Sequence, residues 1–340
     1  MEQRILGGTG IPVSSLGFGA MNLGAWGGLD QAASTRLVNE ALDRGITLFD
    51  TADVYSAGQS EELLGEALGR RRDEVVLATK AGNPMGESPL QRGGSRRWLT
   101  QAVEDSLRRL GTDYIDLYQL HRPDPTADLD ETLAALTDLQ RAGKIRAFGT
   151  STFFAHDIVE AQWLARDRTL SRFTTEQVSY SILARSVERD VFPVAQRHRM
   201  GILVWSPLAN GWLAGTVRRN EPVTAHRANL AQQAFDLNEP VNQRKFDIID
   251  ALKEIASDAG LSLVELALGF VMAHPAVSTV LIGPRTTEHL QHNLRAAEIE
   301  LDAAILDRID AVTEPGVDVA PDERWMISPE MNDPRLRRRT

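Results

Sequence analysis

Short apolar runs punctuate the chain at residues 16–20, 46–50, 75–80, 115–121, 145–151, 173–178, 202–206 and 277–282. Several are apolar at almost every position, as strands buried on both faces of a parallel sheet are. Between them, hydrophobic positions recur at helical spacing. Val103, Leu107 and Leu110 share one face, as do Leu133, Leu136 and Leu139, and Ile305, Leu306 and Ile309. Gly45, Gly69, Gly111, Gly143 and Gly260 follow helical patterns, where a left-handed C-cap favours glycine. Ser262 and Glu265 have capping-box spacing ahead of Leu266, Leu268 and Val271. Strand and helix alternating eight times imply parallel strands joined by right-handed crossovers. The arrangement that closes on itself is an α/β fold, the (β/α)8 or TIM barrel.

Three segments depart from the alternation. Residues 4–6 and 11–13, around Gly7-Gly8-Thr9-Gly10, predict a β-hairpin before the barrel. Residues 206–244 form a Pro-, Asn- and Gln-containing stretch without a strong period, read as a long loop after strand seven on the active-site face. From about residue 315 the chain reads as an irregular C-terminal extension. No domain boundary is visible, so the expectation is one domain over 1–340, with a barrel core at about 15–313 and an extension at 314–340.

Composition narrows the classes. A hydrophobic content of 42% in 340 residues supplies a sizeable core. The net charge of −10 argues against a nucleic-acid partner, and no stretch approaches the roughly 20 apolar residues of a membrane span. There is no cysteine, which removes disulfides, thiolate metal sites and cysteine nucleophiles. A cytoplasmic location is the expectation; the oligomeric state is not legible.

Polar residues stand where apolar runs stop. Asp50 follows Ile46-Thr47-Leu48-Phe49, Lys80 follows Val75-Val76-Leu77-Ala78-Thr79, His121 closes the run from Ile115, and Tyr55 lies five residues beyond Asp50. In a (β/α)8 barrel, C-terminal strand ends face the active site, so these four should converge. Tyrosine ordinarily ionises near pH 10, and an adjacent ammonium favours its phenolate. A carboxylate can hold that ammonium, and an imidazole can hydrogen-bond a substrate oxygen. Together they make a tyrosine general acid that protonates a carbonyl oxygen as a hydride reaches the carbon. Singly, each residue has a plainer reading: an aspartate caps, a tyrosine fills the core or rim.

Gly45-Ile46-Thr47-Leu48-Phe49-Asp50-Thr51-Ala52-Asp53-Val54-Tyr55, continued by Glu61-Glu62-Leu63-Leu64-Gly65, resembles the Asp/Tyr motif of the aldo-keto reductases. Ala78-Thr79-Lys80 is similar to their lysine strand, and Leu110 to His121 to their histidine strand. The resemblance covers about residues 4–313. Within the family, Arg122-Pro123-Asp124-Pro125, Gly149-Thr150-Ser151 and Trp205-Ser206-Pro207-Leu208-Ala209 resemble the subgroup of potassium-channel β-subunits and related bacterial reductases. It implies Tyr55 as general acid–base, Asp50 and Lys80 as its tuning pair, and His121 as the group that orients the carbonyl.

No Rossmann fingerprint is present: Gly17-Phe18-Gly19-Ala20-Met21-Asn22 begins like one and ends in asparagine. The resemblance instead places a nicotinamide nucleotide on loops at the strand ends. It implies Ser151 and Gln177 for the nicotinamide amide, Trp205 stacked on the ring, and Ser206, Pro207, Leu208 and Asn210 along the pyrophosphate. Ala20, Met21 and Asp50 border the ribose and nicotinamide. Gly283, Arg285, His289, His292 and Asn293 serve the adenosine end. Backbone N–H groups at a helix start suit phosphate, and Arg285 could pair with a 2′-phosphate, which favours NADPH. Arg227 in the long loop is a further candidate phosphate contact. Thr152 stands where the family usually has asparagine, and His289 and His292 where it often has glutamine and glutamate. The two histidines lack the rest of a metal-ligand set, so no metal is expected.

The expected activity is NADPH-dependent reduction of an aldehyde or ketone, with a small-molecule carbonyl substrate held by Tyr55, His121, Trp26 and Trp98. Two alternatives remain: an NADP(H)-binding regulatory protein like the channel β-subunits, and a reductase of an activated sugar or another biosynthetic intermediate.

Overall fold

The computed structural model describes residues 1–219, 221, 223, 235–320 and 334–337. Eight strands close into a parallel barrel: β3 (Leu16–Gly19), β4 (Leu48–Asp50), β5 (Val76–Ala81), β6 (Ile115–Leu120), β7 (Ile145–Ser151), β8 (Thr175–Ser179), β9 (Gly201–Trp205) and β10 (Val277–Ile282). Neighbours follow chain order and β10 closes the ring onto β3. The expected α/β (β/α)8 barrel is thus the fold. Helices α1 (Gln31–Asp43), α2 (Gln59–Leu68), α3 (Arg96–Leu110), α4 (Leu129–Arg141), α5 (Ala155–Asp167) and α6 (Val191–Arg197) join successive strands. After β9 come α7 (Pro240–Asp258) and α8 (Leu263–Ala273); after β10 come α9 (Thr287–Arg295) and α10 (Ala303–Val312).

The hairpin pairs β1 (Gln3–Ile5) with β2 (Pro12–Ser14) antiparallel and closes the N-terminal end of the barrel. Leu6 and Val13 are fully buried there, in one cluster with Leu48, Ala78, Leu117, Ala147, Leu203 and Leu281 from inside the barrel. Gly7 adopts φ +55, and a Cβ on it would stand 2.3 Å from the Gly201 amide nitrogen, so the plug approaches β9 closely only as glycine.

This apolar layer fixes the site above it. Side chains alternate along a strand, so residues two apart share a face. Asp50, Lys80 and Gln119 lie two residues beyond Leu48, Ala78 and Leu117 and therefore also point inward. A polar layer rests on an apolar one, at the C-terminal mouth. The larger core cluster lies outside the barrel, between strands and helices, and includes Phe18, Phe49, Leu77, Tyr118 and Phe148.

Two boundaries shift from expectation. Helix α7 starts at Pro240, inside the stretch expected to be loop, because proline is favoured in a first helical turn, where its missing N–H costs nothing. The C-terminal extension is also anchored at its start. Ser186 N–H donates to Asp318 Oδ1 at 2.7 Å, Val319 N–H to the Leu183 carbonyl at 2.9 Å, and Gly316 N–H to Glu188 Oε2 at 2.9 Å. Residues 334–337 form a short helix. Among the described residues, no single helix is long and apolar enough to cross a membrane.

Candidate active site

Lys80 is the hub of the polar layer. Its ammonium is fully buried and donates to Asp50 Oδ2 at 2.6 Å, to the Thr51 carbonyl at 2.8 Å and to Tyr55 Oη at 3.3 Å. Those three bonds use all three N–H groups of an ammonium. The other carboxylate oxygen of Asp50 accepts from Gln119 Nε2 at 3.0 Å and Gln177 Nε2 at 2.8 Å. Burial works against the lysine's charge, but Asp50 and Tyr55 outweigh it and hold the Lys80 pKa above the ordinary lysine value.

Tyr55 reaches this hub from a constrained turn after β4. A 3₁₀ turn spans Tyr55–Gly58, with Ser56 and Ala57 left-handed at φ 51 and 56. Ser56 Oγ accepts from the Trp26 N–H at 3.0 Å, and the Trp26 and Tyr55 rings lie 5.7 Å apart. Ser60 Oγ donates to the Ala20 carbonyl at 2.8 Å, so Ala20 ties the β3 and β4 loops together. The His121 ring stands edge-on to Tyr55, centroids 5.8 Å apart. Burial first, then the charges of Lys80 and Arg122, push the His121 pKa well below the usual histidine value, so the imidazole is neutral. Its Nδ1 has no partner among the described residues.

Two buried acids flank the hub. Asp53 is fully buried, its N–H donates to the Lys80 carbonyl at 3.0 Å, and neither carboxylate oxygen has a hydrogen-bond partner among the described residues. Burial, then Glu61, raises its pKa to about 8. Glu176 is also fully buried and accepts from the Thr150 hydroxyl and, at 3.1 Å, from Phe153 N–H. Burial overrides those hydrogen bonds and lifts its pKa to about 8.

A cavity of about 450 Å³ opens over the hub. Of the residues singled out in the sequence, Met21, Trp26, Asp50, Tyr55, His121, Ser151, Gln177, Trp205, Ser206, Asn210 and Gly283 line it. Lys80 lies just beneath. Thr152, Pro207 and Leu208 adjoin lining residues without lining the cavity. The turn after β9 is left-handed at Ser206, Ala209 and Asn210, and Ser206 Oγ accepts from Asn210 N–H at 2.8 Å. Arg285 and His289 are exposed around the start of α9, which Thr286 caps; Asn293 is buried on α9, and His292 Nε2 lies 3.4 Å from Ser262 Oγ. None of those four lines the cavity. Arg227 lies outside the described residues.

Trp98 is corrected. It sits in the first turn of α3 with its side chain 4% exposed in the core and does not line the cavity. Sequence reasoning missed Gln119, and it missed Val54, Asn83, Pro84 and Arg122 as cavity walls. Gln119 had a readable signal, since it shares strand parity with Leu117.

The aldo/keto reductase family model matches residues 15–314. The chain belongs to the aldo/keto reductase family. An uncharacterized oxidoreductase of Bacillus subtilis, YrpG, is 37% identical over 325 residues, covering 92% of this chain and 96% of the relative. Aldo-keto reductase YhdN of the same organism is 34% identical, covering 86% and 87%. A probable voltage-gated potassium channel subunit beta of Arabidopsis thaliana is 33% identical, covering 92% and 97%. The subgroup expected from the Arg122 and Trp205 segments is therefore represented among the relatives. Family membership makes this reductase-type barrel an oxidoreductase with a small-molecule site at its mouth. The Lys80 hub and the neutral His121 lie within the matched span.

Proposed function

We propose that the protein reduces an aldehyde or ketone to the alcohol with NADPH, and that Tyr55 is the general acid. The observation that carries this reading is the Lys80 ammonium, which bonds Asp50 and Tyr55 at once beneath a cavity walled by a neutral histidine. Tyr55 is half-buried and lines the cavity, so its hydroxyl can meet a carbonyl oxygen there. As Tyr55 gives up its proton, the fixed ammonium stabilises the phenolate left behind. Asp50, itself held by Gln119 and Gln177, keeps the ammonium from turning away. Neutral His121 has an N–H to offer the same carbonyl oxygen, orienting it without becoming the acid. Solvent restores the proton to Tyr55 after product leaves.

The residues present fit a nicotinamide nucleotide. Ser151 and Gln177 offer a hydroxyl and an amide on the cavity floor, and Trp205 offers an aromatic face. The left-handed turn from Ser206 to Asn210, with Pro207 and Leu208, would carry the pyrophosphate. Gly283, Arg285, His289, His292 and Asn293 would hold the adenosine end, Arg285 taking a 2′-phosphate. Met21, Ala20 and Thr152 would border the nicotinamide ribose. When bound, the nucleotide supplies the hydride that reaches the carbonyl carbon.

Tyr55→Phe tests the assignment. It should lower kcat/KM for aldehydes by about 100-fold or more, while NADPH binding, followed by cofactor fluorescence, stays within about twofold. Retained turnover would remove Tyr55 from the role, and a clear preference for NADH would remove Arg285 from its own. The relative named as a channel subunit favours a second reading, an NADP(H)-binding regulatory protein. Tight NADPH binding without turnover across a panel of aldehydes would support it.

A further inference from the structure

Arg122 lines the cavity directly after His121, yet no carboxylate among the described residues pairs with it. One Nη1 hydrogen bond, to Thr152 Oγ1 at 2.6 Å, holds it. Glu176, the buried acid whose charge acts on Arg122, makes no ion-pair contact with it and accepts instead from Thr150 and Phe153. Burial disfavours the charge on Arg122, but a guanidinium keeps its proton in proteins. Among the described residues lining the cavity, Asp50 is ion-paired with Lys80, whereas Arg122 has no carboxylate in ion-pair contact and only the more distant charges of Tyr55 and Glu176 act on it.

Thr152 is unusual in its own right. It adopts φ +58, a conformation that β-branched residues rarely take, and it donates to the Ser151 carbonyl at 2.7 Å while accepting from Arg122. Such strain persists where the surroundings over-determine it, often at binding sites. Here it turns the hydroxyl toward the guanidinium and fixes one end of the fork. The remaining N–H groups have no hydrogen-bond partner among the described residues, and Trp26, Val54, Asn83 and Pro84 line the same cavity.

We infer that Arg122 is a specificity-determining residue that selects carbonyl substrates carrying an anionic oxygen group, a carboxylate or a phosphate, on an apolar or aromatic body. The inference rests on the carbonyl-reductase reading and names the substrate class of that same site. An oxyanion accepts the planar N–H pair bidentately and supplies the ion-pair contact that no described carboxylate makes with Arg122. Trp26, Val54 and Pro84 cover the apolar part, while Tyr55 and His121 take the carbonyl.

The test compares matched substrates with NADPH: 4-carboxybenzaldehyde against 4-methylbenzaldehyde, and glyceraldehyde 3-phosphate against glyceraldehyde. The wild type should favour the anionic member of at least one pair by about tenfold or more in kcat/KM; which pair responds identifies carboxylate or phosphate. In Arg122→Met that ratio should fall toward one, and Arg122→Lys, which keeps charge without the fork, should lie between. Equal wild-type rates in both pairs, or a preference that survives Arg122→Met, would overturn the proposal. A binding arm needs no turnover. Titration calorimetry with benzoate, benzamide and inorganic phosphate should show the wild type binding an anion more tightly than benzamide, and Arg122→Met losing that margin. No margin in the wild type would overturn the proposal. So would an Arg122→Met variant that loses NADPH affinity instead, which would place the guanidinium on the nucleotide. Anion binding without turnover of any aldehyde would sink the reductase reading and leave the anion site standing.

Discussion

Gln119 shows how little of the Tyr55 site is freestanding. It contributes one of two amide donors on Asp50 Oδ1, and Asp50 in turn holds the ammonium on Tyr55. Removing one donor leaves a buried carboxylate less well satisfied, worth about 1–3 kcal/mol. Gln119→Leu should therefore lower kcat by about tenfold or more, with a displaced pH–rate profile and little change in NADPH affinity. An unaltered profile would make Gln119 a packing residue. Asp50, Lys80 and His121 stand out in the sequence because each is a polar residue that closes an apolar run, and Tyr55 because it follows Asp50 on the same loop. Gln119 was harder to see because it sits inside such a run, on β6, where only the parity shared with Leu117 marks it as inward. Trp98 was misplaced for the opposite reason: a tryptophan suits a core and a cavity wall equally, and only packing distinguishes them. Arg122 belongs to the Arg122-Pro123-Asp124-Pro125 segment, but nothing in those letters says that its guanidinium would lack an ion-paired carboxylate among the described residues.

At the scale of elements, the eight apolar runs coincide with the eight barrel strands to within two residues. They were readable because burial on both faces leaves few polar positions. Helix ends were readable for a local reason: the Ser262–Glu265 capping box forms as spaced, and Gly111 caps α3 with φ +63. Contacts between elements were not. Gly65 on α2 packs against the last turn of α3 so closely that a Cβ would stand 2.4 Å from the Leu110 carbonyl oxygen. Gly65→Ala must push α2 off α3, and overpacking of this kind costs about 1–3 kcal/mol. The variant should unfold at a lower temperature in calorimetry, and because α2 follows directly from the Tyr55 turn, activity should fall with it. Unchanged melting would mean that the two helices separate at little cost.

For the whole molecule, the two buried acids make stability depend on pH. Asp53 and Glu176 titrate near 4 in an unfolded chain and at about 8 when folded. Between those values the folded state binds more protons than the unfolded state, so stability falls as pH rises. Their contribution is complete below about pH 4 and is lost by about pH 8, with a slope on the order of 1 kcal/mol per pH unit for each group. Thermal melting should therefore drop from pH 5 to pH 8, and Asp53→Asn, which mimics the protonated acid, should flatten the drop. A variant with the wild-type slope would show that Asp53 is ionised in the fold. The Lys80 hub has a different kind of consequence. Aldehydes, the substrate class proposed above, are electrophiles that condense with free amines. Lys80 is protonated, fully buried and has all three N–H groups engaged, so it presents no lone pair to attack. Only four of the 37 basic residues are lysines, and Lys245 is 1% exposed. Almost all of the molecule's positive charge is carried by guanidinium groups, which do not form Schiff bases under such conditions, so few amines stand open to an aldehyde, and the bonds that fix Lys80 beside Tyr55 also keep its nitrogen unreactive.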